Sequence, residues 1–252
     1  MENKKIRYYE QLDSTNTKAS ELTSEGAEHG TVVVAGCQTA GKGRRGRTWE
    51  SPSEDNIYMS ILLRPEFEAD RAPMITLVMA YSVAKVLQEN GFADVQIKWP
   101  NDLVLSGKKV CGILTEMHLQ GTTIDSIVVG VGVNVNTTSF SEELVDKATS
   151  LFLECGKLSN KEQLIVDIVE TFMEMYDRFA EAGDLEFLQD AYNTILVNKN
   201  REVCILEPGN EYTAYALGIN EKGELMVQLE DGTEKNVYAG EVSVRGVYGY
   251  IR

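Results

Sequence analysis

The sequence predicts an α+β protein with a larger mixed domain and a small C-terminal domain of strands. β-branched runs such as residues 30–35 alternate with stretches such as residues 74–90, where apolar side chains recur at helical spacing. From residue 198 onwards the pattern changes to five short strands separated by turn pairs. A chain of 252 residues is long enough for both units. We therefore predict a division into residues 1–197 and residues 198–252.

The first elements are predicted from a cap and from β-branched runs. Ser14 precedes a helical stretch that ends near residue 24, and its hydroxyl is of the type that caps a helix. Residues 30–35 and 56–63 are predicted to be buried strands with a glycine-rich loop between them. The helix of residues 74–90 ends at Gly91 and is expected to cover the sheet.

The strand pattern of residues 95–105 is interrupted in its middle. Pro100 cannot donate to a strand ladder, so we predict a turn or bulge that places Asn101 and Asp102 at a strand end. An amide beside a carboxylate can bind a ring or base together with a metal ion or an amine, and the same pair also suits a simple turn. These residues alone leave both interpretations open.

Two glycines mark the strand that follows. Residues 108–119 and 122–136 are predicted strands on either side of a tight turn that contains Gly121. The second strand contains Gly130 and Gly132, and glycines inside a strand usually mark a bulge or a group lying close to the backbone. We expect a flat ligand to lie over these two glycines.

The remaining elements are predicted to be scaffold. Residues 159–162 form a capping-box pattern for a long amphipathic helix that ends before Gly183, and a shorter helix follows to about residue 196. Residues 137–149 are polar and acidic, which is typical of a mobile loop. The strands after residue 198 predict a small β-barrel that packs on the larger domain.

Charge and composition argue against several classes of protein. The formal net charge is -15, from 39 acidic and 24 basic residues, so the surface repels nucleic acid and we predict no DNA binding. No run of 18 apolar residues occurs and the N-terminus lacks a secretory signal, so we expect a cytoplasmic protein without membrane contact. The four cysteines form no Cys-x-x-Cys pair, and two histidines are too few for a histidine-based metal cluster.

Positive charge is concentrated after the strand of residues 30–35. Residues 38–49 contain no acid, three glycines, one tryptophan and four cations: Lys42, Arg44, Arg45 and Arg47. Glycines let the backbone approach a ligand and arginines bind phosphate or carboxylate oxygens, so the stretch predicts an anion site, with a mobile surface loop as the alternative. Pro52 prevents the helix that a dinucleotide fingerprint or a P-loop requires. Residues 41–49 are called the basic loop below.

Five motifs occur together in one order: Ser14-Thr-Asn16, the basic loop, Lys98-Trp-Pro-Asn-Asp102, Lys109-Val-Cys-Gly112 and Gly130-Val-Gly-Val-Asn134. With these motifs the chain closely resembles the biotin protein ligases, the biotin–(acetyl-CoA-carboxylase) ligase family, over nearly its whole length. The resemblance implies a catalytic domain with the fold shared by class II aminoacyl-tRNA synthetases and lipoate ligases, followed by an SH3-like β-barrel. It also implies a two-step reaction. Biotin and ATP give biotinyl-5′-adenylate and pyrophosphate, and a lysine of a biotin carboxyl carrier protein then accepts the biotinyl group.

The resemblance also implies roles for residues of this sequence. Lys109 and Arg44 are implied to be catalytic, with Lys109 lying between the biotin carboxylate and the α-phosphate. The residues implied to bind biotin are Ser14, Thr15, Gln38, Gly41, Lys42, Arg44 and Lys109. The residues implied to bind the nucleotide are Arg45, Arg47, Trp49, Asn101, Asp102, Asn134 and Arg245. Asp102 is also the candidate ligand for Mg²⁺, with reception of the incoming lysine as its alternative role.

The chain departs from the family pattern at two points. Only 13 residues precede Ser14, so we expect the monofunctional type that lacks an N-terminal DNA-binding domain. Lys42 stands where the family frequently has arginine. Lysine keeps the positive charge but lacks the paired hydrogen-bond donors of a guanidinium group. An edge strand near residues 128–135 also allows a homodimer. A lipoate or octanoate ligase, a non-catalytic sensor of biotin or nucleotide, and a nucleic-acid-binding module are the competing functions.

Overall fold

The computed structural model describes residues 5–51, 53–207, 209–239 and 243–246 of the chain. Within these ranges the strands are β1 (Ile6–Leu12), β2 (Thr31–Gln38), β3 (Ile57–Leu63), β4 (Gln96–Lys98), β5 (Asp102–Leu105), β6 (Lys108–Gln120), β7 (Thr123–Val133), β8 (Arg201–Glu207), β9 (Asn210–Ile219), β10 (Leu225–Gln228), β11 (Glu234–Val237) and β12 (Ser243–Gly246). The helices are α1 (Thr15–Ser24), α2 (Ala72–Glu89), α3 (Leu151–Cys155), α4 (Lys161–Ala182) and α5 (Glu186–Thr194). The predicted α+β class is confirmed.

A seven-stranded sheet forms the larger part of the fold. Its strand order is β1-β2-β3-β7-β6-β5-β4, with β1 parallel to β2 and every other neighbouring pair antiparallel. Helix α1 covers one face, where Ala19 and Leu22 pack with side chains of β2, β3 and β7. Helices α2 and α4 cover the opposite face and join the main core. Strand β3 is buried at all seven positions because both of its faces are covered.

The α1 face of this sheet carries the residues that matter for the site. Side chains alternate between the two faces of a strand, and Met59 and Ile61 of β3 belong to the core under α2 and α4. Ser60 therefore lies on the α1 face. The same alternation places Gly130 and Gly132 of β7 on that face, next to β3 on one side and β6 on the other.

The five-stranded sheet is antiparallel with the order β11-β10-β9-β8-β12, and all five strands predicted after residue 198 are present. It packs against the larger unit, where Trp99 Nε1 donates to the Gly223 carbonyl oxygen at 3.1 Å. In the part of the chain that the structure describes, β11 and β12 are edge strands that do not pair with each other, so closure into a barrel is not seen there. The domain boundary after residue 197 stays a prediction.

Two predicted helix caps differ from the structure. Ser14 occupies the N-cap position of α1, but its side chain makes no capping hydrogen bond. Helix α4 begins one residue later than the capping box predicts, because Asn160 caps it by accepting from the Gln163 N–H at 3.1 Å. The backbone N–H of Ser159 instead donates to Asn136 Oδ1 at 2.9 Å. The cap of this helix is thus Asn160, and the preceding residue is held by a contact with a distant part of the chain.

The turn at Pro100 is present as predicted. The Trp99–Pro100 peptide bond is cis, and the turn lets Asp102 begin β5, which pairs antiparallel with β4. Gly121 likewise occupies the predicted turn between β6 and β7, with φ of 65°. None of the helices in the described ranges is both long enough and apolar enough to cross a membrane.

Candidate active site

A cavity on the α1 face of the seven-stranded sheet brings together most of the residues predicted to form the site. The basic loop, the first turn of α1 and strands β6 and β7 surround it. The predicted residues among its lining are Ser14, Thr15, Gln38, Lys42, Arg44, Trp49, Asn101 and Lys109. Residues from five separate stretches of the sequence therefore meet at one place.

Glycines on β6 and β7 form the floor of the cavity. Gly112 of β6 pairs with Gly132 of β7, and a Cβ atom at Gly132 would lie 2.5 Å from the Trp49 indole. A Cβ atom at Gly112 would lie 2.8 Å from the same ring. The flat group over Gly132 is therefore Trp49 of the chain itself, and the group over Gly130 is the Asn16 amide. The expectation of a ligand lying directly on Gly130 and Gly132 is corrected accordingly.

The basic loop is a small hairpin held by its own backbone. Lys42 and Thr48 form an antiparallel bridge, and the Gly43 N–H donates to the Arg47 carbonyl oxygen at 2.7 Å. Arg45 adopts left-handed backbone angles at the tip, with φ of 57°. Lys42, Arg45 and Arg47 are exposed, whereas Arg44 is half-buried. Arg44 is therefore the most buried of the four cations, and it lines the cavity together with Lys42.

Arg44 links three parts of the molecule. Its Nη1 donates to Asn101 Oδ1 at 2.8 Å, and its Nη2 donates to the Ala239 carbonyl oxygen at 3.0 Å. Burial lowers the pKa of Arg44, and the negative charge of Asp102 opposes this shift. Because Ala239 follows β11, the C-terminal sheet contributes to holding the basic loop.

Lys109 is held at both its backbone and its side chain. The backbone N–H of Lys109 donates to the Lys147 carbonyl oxygen at 2.8 Å, and its carbonyl oxygen accepts from the Thr149 N–H at 2.9 Å. Its Nζ forms an ion pair with Asp102 Oδ1 at 2.6 Å and lies 5.2 Å from the centre of the Trp49 ring. The loop of residues 137–149 is therefore pinned next to Lys109 at its C-terminal end.

A second group of side chains, the polar wall, consists of Thr15, Asn16, Gln38, Ser60 and Glu116. Gln38 Oε1 accepts from the Thr15 N–H at 2.8 Å. Ser60 Oγ lies 2.8 Å from Thr15 Oγ1 and 2.6 Å from Asn16 Oδ1. The Asn16 amide nitrogen donates to Glu116 Oε2 at 2.6 Å. These hydrogen bonds connect Gln38 and Thr15, which line the cavity, with Glu116 on β6.

The sequence patterns missed three members of the polar wall. Ser60 is the one polar residue in the otherwise apolar strand β3, and it is fully buried. Asn16 is also buried, in the first turn of α1. The sequence could have indicated Ser60 and Asn16, because a polar residue in a buried segment requires a hydrogen-bond partner. Glu116 sits in a strand with no such contrast, and only the pairing of β6 with β7 brings it to Asn16.

Several predicted residues do not line the cavity. Gly41 is buried where a Cβ would collide with the Trp49 carbonyl oxygen, so it serves the turn of the basic loop. Asn134 is buried, and its amide donates to the Thr149 carbonyl oxygen at 3.1 Å. Arg45 and Arg47 point to the exposed side of the loop, and the Arg245 side chain lies outside the described part of the structure. The binding roles of all these residues stay predictions.

Asp102 is the predicted metal ligand, and no second ligand was predicted beside it. It is paired with Lys109 and accepts from the Asn101 amide at 3.0 Å. Among the residues that the structure describes, no group of three or more histidine, cysteine, aspartate or glutamate side chains could enclose a metal ion. The four cysteines are free thiols, and burial raises the pKa of Cys111. A metal ion at Asp102 would therefore need most of its ligands from elsewhere.

Comparison with known proteins defines the class of this molecule. The sequence pattern of the biotin/lipoate A/B protein ligase family matches residues 8–134, and that of the biotin protein ligase C-terminal domain matches residues 200–245. The chain belongs to the biotin/lipoate A/B protein ligase family.

Individual relatives narrow the class to biotin ligases. The bifunctional ligase/repressor BirA of Bacillus subtilis is 34% identical over 241 residues, which cover 94% of this chain and 73% of BirA. The biotin–(acetyl-CoA-carboxylase) ligase of Paracoccus denitrificans is 40% identical over 49% of this chain and 51% of its own. The biotin protein ligase of Aquifex aeolicus, solved in complex with biotin and ATP, superimposes with a TM-score of 0.85 at 31% identity, covering 96% of this chain and 99% of that chain.

Proposed function

We propose that this chain joins biotin to ATP, releasing pyrophosphate, and then transfers biotin to a lysine of a biotin carboxyl carrier protein. The observation that carries the proposal is the meeting of Lys109 and Arg44 with the uncharged side chains of Thr15 and Gln38 at one cavity. Biotin has a neutral ring that both donates and accepts hydrogen bonds and a tail that ends in a carboxylate. A cavity with one neutral polar side and one cationic side suits both parts.

The chemistry explains why fixed cations are needed. In the first step a biotin carboxylate oxygen attacks the α-phosphorus, a new C–O–P linkage forms, and the bond to pyrophosphate breaks. The two reactants are both anions, and positioned positive charge lowers the barrier most where negative charge accumulates. We assign this role to Lys109 and Arg44. In the second step a lysine amine of the carrier attacks the mixed anhydride carbonyl, and AMP leaves.

The remaining assignments follow the same division. We propose that Ser14, Thr15 and Gln38 bind the biotin ring, that Gly41 supports the loop, and that Lys42 binds on the biotin side. The residues proposed for the nucleotide are Arg45, Arg47, Trp49, Asn101, Asp102, Asn134 and Arg245. Closure of the basic loop over the bound adenylate would also shield the reactive anhydride from water.

Magnesium is proposed as the partner of ATP, with Asp102 as its protein ligand. Mg²⁺ keeps several waters and is commonly held by one or two carboxylates together with substrate phosphates. A single carboxylate near the cavity meets that requirement, since the phosphates supply the other ligands. Asp102 is 13% exposed at its side chain and is neutralised by Lys109 at 2.6 Å. Its alternative role is to bind the incoming lysine of the carrier protein, and the same position next to Lys109 supports that role.

The partners and setting are proposed from the family and the charge. A biotin carboxyl carrier protein, from acetyl-CoA carboxylase or a related carboxylase, is the expected acceptor. We propose a cytoplasmic protein that binds neither DNA nor a membrane, since the net charge of -15 repels anionic polymers and anionic lipids. A homodimer and the division after residue 197 belong to the same proposal. The expectation of an edge strand near residues 128–135 is wrong, because β7 lies between β3 and β6 and both of its edges are paired.

A coupled pyrophosphate assay tests the function directly. We expect pyrophosphate release that requires both biotin and MgATP, followed by biotinylation of an added carrier domain. Calorimetric titration with biotin and with lipoate separates the two substrates of this family. Tighter binding of lipoate would replace the biotin assignment, and ligand binding without pyrophosphate release would indicate a sensor.

A further inference from the structure

We propose that Glu116 is a positioning residue that sets the direction of the hydrogen bonds in the polar wall, so that Thr15 offers the ligand an acceptor. The inference rests on the proposed function, because it specifies how the ring of biotin is distinguished. Glu116 does not line the cavity; it acts through Asn16 and Ser60.

The orientation of the Asn16 amide is the first step. Asn16 Nδ2 lies 2.6 Å from Glu116 Oε2 and 3.3 Å from the Leu114 carbonyl oxygen. A carboxylate and a carbonyl group only accept hydrogen bonds, so both protons of the Asn16 nitrogen are directed to them. Asn16 Oδ1 consequently faces β3. The amide fits here because Gly130 of β7 has no Cβ to displace it.

Proton counting gives the second step. Ser60 Oγ is close to both Asn16 Oδ1 and Thr15 Oγ1, but a serine hydroxyl has one proton. Asn16 Oδ1 cannot donate, so the proton of Ser60 goes to it at 2.6 Å. The contact between Ser60 and Thr15 is then donated by Thr15. The alternative acceptor for the Thr15 proton, Gln38 Oε1 at 3.2 Å, also belongs to the protein.

The side of Thr15 that meets the cavity is therefore an acceptor. Its single proton is used inside the protein, and a lone pair of Oγ1 remains. Next to it, Gln38 Nε2 donates to Ser51 Oγ at 2.9 Å, and an amide nitrogen has a second proton to offer. An acceptor beside a donor complements a ring in which an N–H adjoins a carbonyl group, as in a cyclic urea. A buried site built in this way rejects a ligand that lacks one of the groups.

Glu116 also forms an ion pair with Lys42 of the basic loop, with Nζ and Oε1 3.6 Å apart. Two roles for the carboxylate can thus be separated. If Glu116 acts by accepting from Asn16, a glutamine in its place can still accept through its amide oxygen. If it acts by its charge on Lys42, glutamine fails as completely as an apolar residue.

The experiment measures dissociation constants by calorimetry for biotin and for its two cyclic carbamate analogues, in which a ring oxygen replaces one or the other ureido N–H. We expect the unchanged protein to reject at least one analogue by about a hundredfold or more, because that oxygen would face the Thr15 lone pair. We expect Glu116→Met to weaken biotin binding by about tenfold or more and to reduce the ratio of affinities between biotin and the rejected analogue. The dissociation constant of Glu116→Gln for biotin should stay within about threefold of that of the unchanged protein. Glu21→Met on α1 removes an ion pair with Lys18 at 3.0 Å and serves as the matched control.

Each outcome decides the inference. It is overturned if Glu116→Met keeps the discrimination, if Glu116→Gln loses as much as Glu116→Met, or if neither analogue is rejected. Should Glu116→Met fail to fold by circular dichroism, Asn16→Ala carries the test, since it removes the acceptor of the Ser60 proton, so that Ser60 can donate to Thr15 and the discrimination must narrow in the same way. If the unchanged protein does not bind biotin at all, the proposed function itself falls.

Discussion

The basic loop and the polar wall face the same cavity but are held in opposite ways. Lys42, Arg45 and Arg47 of the loop are exposed, and the hairpin depends on a few backbone bonds and on Arg44. Thr15 and Asn16 of α1 and Ser60 of β3 are buried and linked by short hydrogen bonds. Charge acts over a distance and tolerates water nearby, whereas hydrogen-bond discrimination requires burial and a fixed geometry.

This difference suggests a division of labour. In the proposed reaction the loop and Lys109 supply charge, and a loop of this kind can open to exchange ligands and close over the adenylate. In the same proposal the wall determines which ring is accepted and also contributes to the stability of the fold. Substitutions in the two regions should therefore affect different measurements.

Lys109→Ala, which removes a positive charge from the cavity, is expected to have the largest effect. We expect the rate of pyrophosphate release to fall by about 10²–10³-fold, because one fixed charge at the reacting groups is lost. Lys85→Ala on α2 is the matched control, since its ammonium makes a long 4.0 Å contact with Glu89 and lies outside the cavity lining. An unchanged rate in Lys109→Ala would remove Lys109 from the reaction.

Arg44→Gly tests whether the loop retains the intermediate. The substitution removes the hydrogen bonds to Asn101 and Ala239, so the loop loses the side-chain contacts that Arg44 makes with these two residues. We expect free biotinyl-adenylate to escape and to label unrelated proteins about thirtyfold more than the unchanged enzyme does, if each of the two lost bonds contributes about 1 kcal/mol. A streptavidin blot of bystander proteins measures this. Equal labelling by both proteins would refute the retention role.

Gly132→Ala tests the contact between the floor and the loop. The added Cβ would lie 2.5 Å from the Trp49 indole and must displace it, although the backbone of this residue needs no positive φ. We expect biotin affinity to fall by about tenfold, since overpacking typically costs about 1–3 kcal/mol. The loss should shrink when Trp49→Ala is also present, as measured by a double-mutant cycle. Additive losses would show that the two residues do not interact.

Ser60→Ala and Arg45→Ala compare the two regions by stability. We expect Ser60→Ala to lower the free energy of unfolding by about 1–3 kcal/mol, because Asn16 Oδ1 is left buried without its donor. Arg45→Ala is expected to change it by less than about 0.5 kcal/mol, as is usual at an exposed position. Urea denaturation of both variants checks the pair. Equal changes in the free energy of unfolding would mean that the polar wall contributes no more to stability than the basic loop does.

The fold was largely predictable from local patterns. The β-branched run that became β2, the apolar spacing of α2 and the turn at Gly121 were all found within a few residues of their positions. The helix caps were less predictable, because Ser14 makes no capping hydrogen bond, and because Asn160 caps α4 while Ser159 bonds to the distant Asn136. The flat group over Gly132 was predicted, but not that the protein supplies it.

The sequence by itself determined the composition of the site. Glycines between closely spaced cations in an acidic chain, and the motifs around Asp102, Lys109 and Asn134, indicated an anion-binding enzyme and its family. Only the tertiary structure decided how these residues are arranged. Strand pairing brings Ser60, Gly130 and Leu114 side by side, which seats Asn16 against Glu116, 100 positions away. Such contacts depend on strand order and register, which no local pattern contains, because neither is a property of a single segment.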